Sequence, residues 1–69
     1  MKAGALVVLV NDVKGVAAGK VGRVISVRED SVLLECRLQE RLHFVPVRTW
    51  DLLPEKIYRR LLKRQKMGQ

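Results

Sequence analysis

Cysteine is nearly missing from this chain: Cys36 is the only one in 69 residues, and His43 is the only histidine. A lone thiol makes no internal disulfide, and one Cys with one His falls short of the ligand count of a zinc site, so no metal is expected. Long apolar runs are also missing. The longest, Ala5 to Val10, ends at Asn11-Asp12, far short of the ~20 residues of a membrane span and too short for a signal peptide. A cytoplasmic protein is the expectation. Aromatics are down to Phe44, Trp50 and Tyr58. Each is assigned to packing, which leaves no platform for stacking bases. The acidic residues are scattered, with only Glu29-Asp30 adjacent and those in a turn, so no carboxylate pair stands out for general acid–base work.

Two further exclusions concern motifs. Gly15, Gly19 and Gly22 could be taken for a phosphate loop, but a β-branched run follows them where such a loop would open a helix. Cys36 and His43 invite comparison with a thiol–imidazole dyad. That pair needs a partly exposed thiolate and a third group to orient the imidazole, whereas Cys36 lies among Leu34 and Leu38 and reads as a small hydrophobe. No catalytic residue and no cofactor is expected, and the chain reads as a non-enzyme.

What is present is a 48% hydrophobic chain with a formal charge of +7, long enough for one small core. The charge is unevenly placed. Residues 1–53 hold eight Lys/Arg against six Asp/Glu, and residues 54–69 hold six Lys/Arg against Glu55 alone.

The first 53 residues read as short strands. Ala5 to Val10 is a continuous apolar run, expected as a strand buried on both faces. Asn11 to Gly19 forms a loop, with Asn11-Asp12 and Lys14-Gly15 as turn chemistry. A second strand runs from about Lys20 to Arg28, and its adjacent Val24 and Ile25 break the alternation as a bulge would. Glu29-Asp30-Ser31 is a turn, Val32 to Leu38 a third strand, Gln39-Glu40 a two-residue connection, and Arg41 to Val47 a fourth strand. Pairing Cys36 with His43 puts Val32, Leu34, Cys36, His43, Val45 and Val47 on one face. The other face holds Leu33, Glu35, Arg37, Leu42, Phe44 and Pro46, and is apolar enough to need a cover. Trp50, Leu52 and Leu53 are expected to close the bottom of the core around a short last strand.

Residues 54–69 follow a different rule. Pro54 suits a first helical turn, with Asp51 as a possible cap. Ile57, Tyr58, Leu61, Leu62 and Gln65 then fall within an arc of about 140°, with Lys56, Arg59, Arg60, Lys63, Arg64 and Lys66 outside it. The simplest role for the apolar stripe is to cover Leu33, Leu42 and Phe44.

Gly19-x-x-Gly22-x-Val24-x-x-Val27, followed by Val32-x-Leu34-Glu35, resembles the KOW motif, and Val45-Pro46-Val47 with Trp50-Asp51-Leu52 is similar to the closing strand and turn of SH3-like barrels. The resemblance covers about residues 4 to 53. It implies contact with RNA, or docking onto a partner in transcription or translation, through loops at one rim: here Lys14 to Lys20 and Glu29-Asp30. The expected architecture is mainly β, a small five-stranded SH3-like barrel over residues 1–53 with a basic amphipathic helix, 54–69, packed on it.

The expected function is a binding module for RNA, ribosome- or transcription-associated. Lys56, Arg59, Arg60, Lys63, Arg64 and Lys66 would contact phosphates, with Lys14, Lys20 and Arg23 secondary. The alternative is a small structural or adaptor subunit that binds an acidic protein surface or self-associates. Its interface would be Leu33, Leu42 and Phe44, or the stripe Ile57, Leu61 and Leu62. A membrane surface ranks last because the stripe has no Trp or Phe anchor.

Overall fold

Residues in the first three-quarters of the chain, many of them alternately apolar and polar, form five antiparallel strands, and the basic tail forms an α-helix. The computed structural model describes residues 1–67, of which Lys66 and Met67 enter only as helical backbone. The elements are β1 (Leu6–Leu9), β2 (Val21–Arg28), β3 (Ser31–Leu38), β4 (Arg41–Arg48), a 3-10 turn (Thr49–Asp51), β5 (Leu52–Pro54) and α1 (Glu55–Met67). They make one sheet in the order β4-β3-β2-β1-β5. The strand pairings leave β4 and β5 as its two edges, so the sheet is not closed by hydrogen bonds. It nevertheless curls around a single core. Val45 and Val47 from one edge strand and Leu52 from the other join Val7, Leu9, Val16, Val24, Val32, Leu34 and Cys36 in one buried cluster.

The β3–β4 hairpin takes the register expected from its alternation, with Leu38 opposite Arg41, Arg37 opposite Leu42 and Cys36 opposite His43. Its two-residue turn holds Gln39 at φ 50° and Glu40 at φ 66°. Two left-handed residues in succession are what a twisted two-residue hairpin loop needs, though each side chain makes that conformation costly by about 1–2 kcal/mol. The bulge expected near Val24-Ile25 is present. Register shifts between Val24 and Ser26, so Ile25 has no partner opposite, and the sheet bends there. Pro46, which lacks an amide donor, lies on edge strand β4, where that loss is tolerated.

The two glycines of the Gly19–Val27 stretch do different jobs. Gly19 has φ +95°, a conformation that closes the loop into β2 and that a side chain resists. Gly22 is buried in β2, and a Cβ there would sit 2.8 Å from Leu34 Cγ and 2.9 Å from the Glu35 carbonyl oxygen. Its role is close approach of β2 to β3.

Several expectations are corrected here. The helix does not cover Leu33, Leu42 and Phe44. It packs on β1 and β5, at the other end of the sheet, leaving Leu42 52% and Phe44 58% exposed. Chain connectivity explains this: β5 pairs with β1 and leads straight into α1, so the helix starts beside β1. What it covers is the outward side of β1. Val8 points away from the core that holds Val7 and Leu9, yet all three are buried, so the double-sided burial expected of Ala5 to Val10 holds at Val8 but not at Leu6, which is exposed on the same side. His43 shares the register face of Cys36 but is exposed, because the first half of β4 runs past the core. Trp50 does not close the core. It stands 63% exposed on the 3-10 turn, and Leu52 fills that position. Pro54 ends β5 rather than opening the helix, and Asp51 is no helix cap, since it lies in the 3-10 turn before β5, where its carboxylate accepts a hydrogen bond from Asn11 Nδ2 at 2.9 Å.

Candidate functional site

Helix α1 has 13 residues, a length that is marginal alone in water and needs tertiary packing to persist. Its anchorage is narrow. Tyr58 is half-buried, its hydroxyl 3.8 Å from where a Cβ on Gly19 would lie, so the side chain reaches the loop that precedes β2. Glu55 in the first turn complements the positive end of the helix dipole and accepts a hydrogen-bonded ion pair from Arg59 at 2.7 Å. With Arg59 largely exposed, the pair is worth about 0.3–0.5 kcal/mol.

The other side chains described on the helix, from Lys56 to Gln65, are exposed. Ile57 and Leu61 are each 44% exposed and Leu62 41%, so the stripe is not consumed by internal packing. Arg60, Lys63 and Arg64 gather around Ile57 and Leu61 in a shallow depression on one flank of the helix. Lys56 lies at the helix start, in a smaller depression with Leu6, Pro54 and Glu55. The side chain of Lys66 lies outside the described residues.

The secondary cations are dispersed. Arg23 stands opposite Leu6 on one side and Glu35 on the other, which places it near the helix start. Lys20 follows Gly19, and its backbone carbonyl accepts from the Leu9 amide at 3.0 Å. Lys14 is elsewhere, at φ 45° in the tight turn between Val13 and Val16, where it lines a depression with Asp51 and Arg48.

Arg48 was not singled out by the sequence. Its guanidinium lies over the Trp50 ring, 5.9 Å from the centroid, within cation–π range. Asp30, Glu29 and Asp51 line the same two depressions as Arg48, so this rim is charge-mixed and is no counterpart to the helix. The one sequence signal for it was the Arg48-x-Trp50 spacing in a turn.

Cys36 is 1% exposed. Burial pushes its thiol above the ordinary value of 9.0, with Lys20 lowering it and Glu35 raising it by smaller amounts. A folded-state pKa above the unfolded one means that the thiol's contribution to stability is full below about 9 and fades as pH rises through the folded value. The stability difference between wild type and Cys36→Ala, measured by urea unfolding, is therefore expected to shrink at alkaline pH. A constant difference would contradict this burial. Among the described residues no group of three or more His, Cys, Asp or Glu could hold a metal ion, and no helix is long and apolar enough to cross a membrane.

Comparison with family models, with curated proteins and with solved structures returns no match.

Proposed function

We propose that this chain is a non-enzymatic binding module for RNA, built as an SH3-like barrel with a basic helical arm. The observation that carries the reading is the charge of α1. Lys56, Arg60, Lys63 and Arg64 are all exposed, and the helix's one acidic residue, Glu55, is taken up by Arg59. A cationic surface with so little internal compensation favours a polyanion. The KOW-like stretch across β2 and β3 and the strand order β4-β3-β2-β1-β5 support an SH3-like module, and the KOW likeness makes RNA the favoured polyanion. Arg23, near the helix start, and Lys20, next to the Gly19 loop that Tyr58 meets, are secondary contacts, and Lys14 lies apart beside Arg48 and Asp51. Phosphate contacts dominate such an interface, so binding is strongly salt-dependent and reads little sequence.

Filter binding of mixed-sequence RNA across a salt series tests the proposal. Replacing Lys56, Arg60, Lys63 and Arg64 together by Ala is expected to weaken binding at every salt concentration. It should also flatten the log K–log salt slope by about 0.7 for each phosphate that is no longer neutralised. An unchanged slope and affinity would sink the RNA reading.

A further inference from the structure

Phosphate binding leaves one feature of the helix unused. Ile57 and Leu61, one turn apart, form the floor of a depression whose walls are Arg60, Lys63 and Arg64. Three large apolar side chains each more than 40% exposed on a 13-residue helix are costly to leave in water and do nothing for a phosphate backbone.

We infer that this flank docks an acidic amphipathic helical segment of a partner protein, its apolar ridge on Ile57 and Leu61 and its carboxylates on Arg60, Lys63 and Arg64. Charge decides among the occupants. A second copy of this chain brought to the same face would set Arg60, Lys63 and Arg64 against their own images, with no carboxylate to separate them. A bilayer needs one continuous apolar face. Here the centre of the stripe, at Tyr58, is turned to the Gly19 loop, and Leu62 lies about 100° round the helix from Leu61. A narrow apolar seam with cations on its margin matches the complementary seam of an acidic helix, where guanidinium groups donate paired hydrogen bonds to carboxylates. The inference does not rest on RNA binding, since Ile57 and Leu61 have no part in that reading.

Anisotropy of a labelled synthetic helical peptide, with leucines along one face and glutamates flanking them, measures the interaction on the full chain. The Glu peptide is expected to bind, and its Gln counterpart to bind at least about tenfold more weakly. Ile57→Gln with Leu61→Gln, which keeps good helix formers at exposed positions, should lose the peptide by a similar factor while RNA binding is unchanged. Arg60→Glu with Arg64→Glu should lose the Glu peptide and gain a Lys-flanked one, a swap that a merely unfolded helix could not produce. Equal affinity for Glu and Gln peptides overturns the inference, as does peptide binding that survives the Ile57/Leu61 change. So does binding to phosphatidylglycerol vesicles, or dimerisation by light scattering, without binding of the Glu peptide.

Discussion

Replacing Leu34 by alanine is expected to abolish cooperative folding at room temperature, or to leave only a marginal transition. Leu34 is fully buried at the centre of the single core. Truncating such a leucine costs about 2–5 kcal/mol, the forfeited transfer energy plus the cavity left behind. A domain of this size without disulfide or metal rarely holds more than about 3–5 kcal/mol in total, so one substitution can consume it. Urea unfolding followed by circular dichroism reads the effect directly. Leu42→Ala is the control. Leu42 is 52% exposed on the uncovered face, and its truncation should change stability by less than about 0.5 kcal/mol. If the two substitutions cost the same, the core has been misplaced.

Gly22→Ala carries the second large effect, with the opposite sign of volume change. The added methyl would lie 2.8 Å from Leu34 Cγ and 2.9 Å from the Glu35 carbonyl oxygen. Leu34 can yield by changing rotamer, but the carbonyl belongs to the β3 backbone, so the two strands must separate. Overpacking of this kind costs about 1–3 kcal/mol. In a domain of this length each kcal/mol lowers the melting temperature by about 4–8 °C. A Gly22→Ala protein as stable as wild type would refute the close approach.

The uncovered surfaces bear on how such a small domain is used. Phe44 and Leu42 sit outward on edge strand β4, the kind of strand that recruits other chains. Arg41 and Arg48 at its two ends, with Pro46 within it, blunt that tendency. On the helix, by contrast, the apolar seam of Ile57 and Leu61 is framed by charge of one sign.

Much of the sheet was legible along the chain because its determinants are local. Alternation in Ser31–Leu38, the polar pair Gln39-Glu40 and the adjacent Val24-Ile25 each specify a strand, a turn and a bulge within a few residues. The helical tail and its two faces followed from period 3.6 in the same way. Hydrophobicity, however, says only that a residue gains by burial, not what is near enough to bury it. The sequence therefore shows that Leu42, Phe44, Ile57 and Leu61 gain by cover, and the most economical arrangement pairs them with each other. That all four stay exposed was decided by the short strand β5. By pairing with β1 it starts α1 beside Leu6 and Val8, and so leaves the far hairpin and one helix flank in water. That single long-range pairing is the tertiary fact that turned an expected internal seam into an exposed one.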